Sequence, residues 1–236
     1  MKVQNICYDC LDNDSFQHVN FAIRDDGIHE VICPNDHRSF IFVSNPLFEI
    51  LFDYGLQAML DEYTREAVAS ISASLERFYE FYIKVIQLKH KAPSDEIEKS
   101  WKQISSQSER QLGGFVSLYL VENMKAIKPI DPTFRNKVIH KGKIPTYEEA
   151  FKYGAEVFSF VKDNLNELKR VNDKFVKKQI KRDLDANVLK NSGVTRRSSM
   201  QITTTFLSNA DLEYPLAPTT FKAALELVKT LNRMVS

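Results

Sequence analysis

Large apolar residues recur at helical spacing in the middle of this chain, and this pattern restricts the possible fold more than any other feature. The stripe consists of Ile71, Leu75, Phe78, Tyr79, Tyr82, Val85 and Ile86. These positions place a wide apolar surface on one face of an α-helix. We therefore predict a mainly α fold from residue 46 onward, with an earlier helix over roughly Pro46 to Glu62.

Capping residues and helix breakers divide the rest of this region into further helices. Gly113-Gly114 is expected to interrupt the chain before the next apolar segment. Asp131-Pro132 is typical of a helix start, and the glycine at position 142 is typical of a helix end. Thr146 and Glu149 have capping-box spacing, which predicts the start of a long helix.

The C-terminal part of the chain changes in character after that long helix, which is expected to run to about Leu189. Residues 191–218 are rich in Ser, Thr and Asn and are predicted to be mainly loop, with one strand at Gln201–Leu207. A last amphipathic helix is predicted at Phe221–Met234.

Residues 1–45 differ from the rest because short segments rich in Val, Ile and Phe replace the helical pattern. Three segments are compatible with strands: Asn20–Arg24, Ile28–Ile32 and Ser39–Val43. Asp25-Asp26-Gly27 is a tight-turn signal between the first two. Three such strands bury too little apolar surface to be stable alone. We expect a small module at 1–45 that needs a metal or the helical domain at 46–236.

Cysteine and histidine pairs within residues 1–45 predict such a metal site. The pattern is C-x2-C, a gap of twenty-two residues and C-x3-H, with the ligands Cys7, Cys10, Cys33 and His37. Close spacing lets one turn present both ligands of a pair, as in a zinc-ribbon-like site. The fourth ligand stays open, because His18 or His29 can replace His37. Four protein ligands leave no position for a catalytic water, so we expect Zn²⁺ in a structural role.

Charge, cysteine count and hydropathy restrict the class of protein. The net charge is +1, so binding to nucleic acid would require a local basic patch. Three cysteines and a polar start without a signal-peptide core argue against a disulfide framework. No apolar run reaches the length of a membrane span. We expect a protein of the reducing cytoplasm that does not enter a membrane.

The segment Phe134–Gly142 carries the residues with the clearest chemical role. Arg135 is followed directly by the polar Asn136 and, five positions after the arginine, by His140. Asn136 and His140 share one helix face, whereas Arg135 is offset from His140 by about 140°. Arg135 and His140 can still reach one cleft if that cleft lies between two helices or two subunits.

The run Arg135-Asn136-x-x-x-His140 resembles the ribonuclease motif of the HEPN superfamily, an arginine and a histidine separated by about four to six residues. In that motif a polar residue often follows the arginine. The setting is also similar, because His-Lys-Gly, Ile-Pro-Thr and a long helix follow the motif. The resemblance covers roughly Phe48 to Leu189. It implies a helical bundle, usually a homodimer in which motifs from two chains form one site.

This resemblance implies metal-independent cleavage of RNA, with the ribose 2′-hydroxyl as nucleophile and a 2′,3′-cyclic phosphate as product. By analogy His140 acts as general acid or base, Arg135 binds the scissile phosphate, and Asn136 orients the phosphate or the histidine. Glu76 is expected to hold Arg135 or His140 in place, or else to lie on a solvated helix face. The implied role is that of a toxin or antiviral-defence effector, with an antitoxin or an activator protein as a further partner.

Lysines are the expected contacts to the RNA backbone. Lys137 and Lys141 flank the motif, and the densest positive stretch of the chain contains Lys177, Lys178 and Lys181. Contacts between lysines and phosphates are independent of sequence and sensitive to salt. Acidic residues are interspersed in the same stretch, so a solvated helix face explains it equally well.

The sequence leaves two other functions open. A non-catalytic HEPN module would use the same helices for dimerisation or for binding a partner, although both Arg135 and His140 are present. A zinc-dependent nucleic-acid-binding regulator would use residues 1–45 as the reader. That module has few cations with which to contact a nucleic acid, namely Lys2, Arg24 and Arg38.

Overall fold

The chain is mainly helical and begins with a small β region, as predicted. A computed structural model describes residues 2–24, 26–189, 197–200, 202–206, 208 and 217–233. The elements in chain order are β1 (Lys2–Ile6), α1 (Tyr8–Leu11), β2 (His18–Ala22), β3 (Ile28–Ile32), β4 (Arg38–Val43), α2 (Leu47–Leu60), α3 (Thr64–Lys89), α4 (Ser94–Ile104), α5 (Ser108–Asn123), α6 (Thr133–Lys141), α7 (Tyr147–Leu189), β5 (Arg197–Met200) and α8 (Phe221–Arg233). Within these residues, no helix has the length and apolar character that a membrane span requires.

The predicted apolar stripe lies on α3, which is the central helix of the bundle. Helices α2, α4, α5, α6 and α7 all contact α3. Phe78 and Val85 are fully buried there, and Phe115 of α5 packs against Phe78 with ring centroids 6.2 Å apart. Burial of one such side chain contributes about 1.5–3 kcal/mol, so this stripe holds the surrounding helices together.

Local signals placed most helix boundaries correctly. The Asp131 carboxylate accepts a hydrogen bond from the backbone N–H of Thr133 at 2.9 Å, and α6 ends at Gly142, whose φ is +70°. The capping box is present as well, because Thr146 and Glu149 bond each other's backbone N–H groups at 3.0 and 3.2 Å. The predictions for the starts of α6 and α7 are therefore confirmed.

The predicted interruption at Gly113-Gly114 is wrong, because α5 continues through both glycines. A Cβ atom on Gly114 would lie 3.3 Å from the side chain of Ile83 and 3.4 Å from that of Ile104. The missing side chain thus lets α5 approach α3 and α4 closely. Glycine serves packing here and does not break the helix.

The strands of the β region pair differently from the prediction. The structure pairs β1 with β2 and β3 with β4, both antiparallel, so β2 and β3 lie in different sheets. The expected hairpin across residues 25–27 is therefore wrong. Gly27, at φ +65°, instead turns the chain from one sheet to the other. Strand β1 was not predicted from the sequence at all.

The C-terminal tail returns to the β region and completes its second sheet. Strand β5 pairs with β4 in parallel, whereas the strand was predicted at Gln201–Leu207. Residues 202–206 form no strand, and positions 201 and 207 lie outside the described residues. Asn45 bonds both backbone groups of Ile202, at 2.8 and 3.0 Å. The tail therefore ties the β region to the start of α2.

Two buried carboxylates on α2 hold the same tail. Glu49 and Asp53 are 0% and 1% exposed. Glu49 accepts hydrogen bonds from the Thr204 hydroxyl at 2.5 Å and the Ser208 N–H at 2.6 Å, and Asp53 accepts one from the Thr205 N–H at 3.2 Å. Burial raises the pKa of Asp53 to about 7, and the neighbouring Glu49 charge acts in the same direction.

We expect this buried carboxyl group to make folding depend on pH. The pKa of Asp53 is about 7 in the folded chain and about 4 when unfolded, so between these values only the folded state holds the proton. Stability should therefore fall by a few kcal/mol as the pH rises from about 4 to 7. Asp53→Asn should remove most of that dependence, measured by urea unfolding at pH 5 and pH 8.

The matched control is Asp61→Asn, which changes an exposed carboxylate at the end of the same helix and should keep the wild-type pH dependence. Equal pH dependence in Asp53→Asn and wild type would contradict this account of the buried group.

Candidate functional site

The predicted metal ligands meet at one point in the β region. Each pair occupies the connection between two antiparallel strands, the first between β1 and β2 and the second between β3 and β4. The group consists of Cys7, Cys10, Cys33 and His37, and its ligand atoms all lie within 4.8 Å of one another. The three thiols are buried. These residues therefore form a group close enough to bind a metal ion.

The separations between the ligand atoms resemble those around a tetrahedral metal. The Sγ atoms of Cys10 and Cys33 are 3.7 Å apart. The Nδ1 atom of His37 lies 3.2, 3.6 and 3.8 Å from the Sγ atoms of Cys10, Cys33 and Cys7 respectively. Zinc distances of about 2.3 Å to sulfur and 2.0 Å to nitrogen imply separations of roughly 3.5–3.8 Å around a tetrahedral ion. The site is compatible with structural zinc.

Hydrogen bonds around the thiols favour ionisation of Cys33. Asn35 donates its backbone N–H to Cys33 Sγ and its side-chain amide to Cys10 Sγ, both at 3.3 Å. Burial opposes ionisation of Cys33, but hydrogen bonds from backbone N–H groups lower its pKa to about 7. Burial raises the pKa of Cys10 to about 11. A bound cation would supply the positive charge that a Cys10 thiolate needs.

The structure selects His37 among the three candidates for the fourth ligand. His18 is exposed on β2. His29 is buried and stacks on Phe21 with ring centroids 4.5 Å apart, and burial lowers its pKa. Neither histidine belongs to the group around Cys10.

Arg135, on α6, joins three helices. Its Nη2 atom donates a hydrogen bond to the Ser108 hydroxyl at the start of α5, at 2.7 Å. Its Nη1 atom lies 3.3 Å from the Glu76 carboxylate on α3, and both side chains are more than two-thirds buried. Such burial weakens solvent screening of the ion pair. Glu76 thus contacts Arg135, whereas its part in a reaction stays a prediction.

Two buried tyrosines line the wall behind Arg135. The Tyr153 hydroxyl lies 2.8 Å from the hydroxyl of Ser72. Burial raises the pKa of Tyr79 strongly and raises that of Tyr153 to about 12. Both phenols are therefore neutral at physiological pH and cannot serve as proton acceptors there.

The other residues of the motif are more accessible than Arg135. His140 lies exposed in the last turn of α6, and the flanking Lys137 and Lys141 are exposed as well. Asn136 is half-buried. In the part of the chain that the structure describes, no side chain forms a hydrogen bond with the His140 imidazole. A substrate can therefore reach this imidazole directly.

Sequence reasoning missed Ser108 and Glu109, which start α5 beside the motif. The Ser108 hydroxyl lies 3.3 Å from the exposed Glu109 carboxylate. Hydrogen bonds from its own backbone N–H and from Ser108 lower the pKa of Glu109, and the charges of Arg135 and His140 lower it further. Glu109 is thus within electrostatic reach of both motif residues. The only available signal was its place in the first turn of a helix.

The cavity beside Arg135 is too small for a nucleotide. It holds about 50 Å³ and is lined in part by Tyr79, Ser108 and Tyr153. Space of about 10–15 Å³ suffices for one water molecule, so this cavity admits only a few waters. A phosphate would have to contact Arg135 and His140 at the protein surface.

The basic stretch of α7 lies far from the motif. Lys177, Lys178 and Lys181 are exposed, and Lys177 pairs with Asp173 at 2.8 Å. At about 1.5 Å per residue, the path along α7 from Tyr153, which lines the Arg135 cavity, to Lys178 is roughly 35–40 Å long. A kink at Asn172 bends this path, so the straight distance is shorter. Phosphate contacts at these lysines would help only RNA long enough to reach both the lysines and the motif.

Comparisons with known proteins identified no relative of this chain. No protein-family model, no curated protein and no solved structure matches the chain.

Proposed function

We propose that this protein is a HEPN-type endoribonuclease that cleaves RNA without a catalytic metal. The observation that carries the proposal is the arrangement of α6. Arg135 is fixed there by Glu76 and Ser108, while His140 is exposed about one and a half helical turns further on. A fixed cation and an accessible imidazole on one short helix suit a phosphodiester.

The proposed reaction uses the substrate's own hydroxyl as nucleophile. An imidazole at position 140 accepts the proton of the ribose 2′-hydroxyl, and the 2′-oxygen attacks the adjacent phosphorus. The bond from phosphorus to the 5′-oxygen breaks, and a protonated imidazole supplies the proton of the leaving 5′-hydroxyl. Arg135 stabilises the charge that develops on the phosphoryl oxygens.

The experiment that tests this proposal uses an oligodeoxynucleotide with a single ribonucleotide. Attack by the 2′-hydroxyl predicts one cut, directly 3′ of that ribonucleotide, and no cut in the all-DNA control. Cleavage of the all-DNA oligonucleotide at a comparable rate would exclude the mechanism.

We also propose a homodimer in which two copies of α6 form one site. The shallow cavity gives one chain little hold on a nucleotide. Apolar side chains are exposed just after α6, with Ile144 79% and Tyr147 41% exposed. A second copy of the chain would bury such side chains and add a second Arg135 and His140.

Ile144→Asp should therefore weaken the dimer and lower the rate of RNA cleavage together, because a buried charge opposes association. Light scattering at micromolar concentration and a cleavage assay measure the two effects. Phe16→Asp is the matched control, since Phe16 is 67% exposed in the β region. A wild-type protein that stays monomeric even with RNA would refute the composite site.

For the metal group, we propose Zn²⁺ with a purely structural role. Three thiolates and an imidazole are a typical closed shell for zinc and leave no coordination position for a catalytic water. The surrounding core is small and includes Val19, Phe21 and Ile41. A bound metal would add the stability that such a core lacks.

A further inference from the structure

Glu109 places a negative charge near the two residues that are proposed to bind a negatively charged phosphate. A phosphodiester carries negative charge, and the cations proposed to bind it are Arg135 and His140. Hydrogen bonds from its own backbone N–H and from Ser108 lower the pKa of Glu109, which favours its charged form. Within the described part of the chain it forms no salt bridge, and its side chain is exposed.

Hydrogen bonds connect the Glu109 carboxylate to Arg135. The Arg135 guanidinium donates to the Ser108 hydroxyl at 2.7 Å, and that hydroxyl lies 3.3 Å from Glu109 Oε2. One hydroxyl group therefore separates the carboxylate from the guanidinium. Glu76 occupies another edge of Arg135 through Nη1. The Glu109 carboxylate therefore lies on the Nη2 side of Arg135, which Glu76 does not occupy.

We propose that the Glu109 carboxylate occupies the place of the substrate phosphate in the free protein and is displaced when RNA binds. Glu109 is thus a specificity-determining residue, and the inference rests on the proposed function. A carboxylate at this point weakens the binding of any polyanion. Only a ligand that also contacts other parts of the protein overcomes the repulsion, so the group selects against free phosphates and short fragments.

The test measures the binding of an uncleavable 2′-O-methyl RNA hexamer to the full chain by fluorescence anisotropy. Glu109→Gln keeps the size of the side chain and removes its charge. We expect binding to tighten roughly 3- to 15-fold at low salt, the size of a repulsion between exposed charges about 5 Å apart. The gain should shrink as salt rises, because screening weakens the repulsion.

Two controls separate the charge from a structural effect. Glu96→Gln makes the same change in the first turn of α4 and should leave binding unchanged. A methylphosphonate hexamer has no backbone charge, so Glu109→Gln should not alter its affinity.

Equal or weaker binding of the charged hexamer by Glu109→Gln would overturn the inference. An equal gain for the uncharged hexamer would overturn it as well. Because the hexamer cannot be cleaved, these results are independent of catalysis. Tighter binding by Glu109→Gln without RNA cleavage by the wild type would reject the proposed function alone.

Discussion

His140→Ala should lower the rate of RNA cleavage by about 10²–10⁴, the usual contribution of a positioned general acid or base. Arg135→Ala should cause a loss of similar size, because the phosphate loses a charge-assisted contact in the transition state. Single-turnover rates with saturating protein measure these losses on bound RNA. If either variant cleaves RNA at the wild-type rate, the substituted residue does not have the role proposed for it.

Loss of Arg135 also leaves Glu76 without its ion-pair partner, so stability must be separated from catalysis. Arg77→Gln is the matched control, since Arg77 is half-buried and pairs with Glu80 at 2.7 Å. Both variants should unfold at lower urea concentration than the wild type. Only Arg135→Ala should lose activity when both are assayed fully folded. Equal loss of activity in the two would assign Arg135 a structural role.

Cys10→Ser should release the metal and unfold the β region. The wild type should contain one zinc per chain by elemental analysis, and Cys7→Ser/Cys10→Ser should contain none. Structural zinc in small zinc-finger peptides contributes about 10–16 kcal/mol of apparent binding free energy, so its loss should expose strands β1 to β4 to hydrogen exchange. Most of the helical region should stay protected, because its main core is a cluster of its own and only α2 also packs into the core of the β region.

Histidine variants test the identity of the fourth ligand. His37→Ala should lose zinc as the cysteine variants do, whereas His18→Ala, on the exposed face of β2, should keep it. Metal-free protein whose N-terminal amides stay fully protected would contradict the structural role of the metal.

Features that depend on neighbouring residues could be predicted from the sequence. The cap at Asp131, the glycine end at 142 and the capping box from Thr146 to Glu149 each involve residues within a few positions. The spacing of the metal ligands is local within each pair for the same reason. Choosing His37 over His29 required the fold, because burial and stacking decide which imidazole reaches the thiols.

Features that join distant parts of the chain could not be predicted. Strand β5 pairs with β4 across 157 positions of the chain. The backbone groups of Ile202, which follows β5, bond Asn45, and such backbone contacts leave no sequence pattern. Ser108 reaches Arg135 across 27 positions. Gly114 could not be interpreted from the sequence, because glycine is favoured both where a helix is interrupted and where two helices approach closely. The positions of Ile83 and Ile104 in the structure show that the second explanation applies.

The central claim is that Arg135 and His140 cleave RNA through its own 2′-hydroxyl. The most direct measurement determines product ends by mass spectrometry after incubation of RNA in EDTA, with the zinc content of the protein checked after the reaction. The proposed mechanism predicts 2′,3′-cyclic phosphate and 5′-hydroxyl ends with the wild type, and no product above background with His140→Ala/Arg135→Ala. Undiminished cleavage by that double variant, or products with 3′-hydroxyl and 5′-phosphate ends, would contradict it.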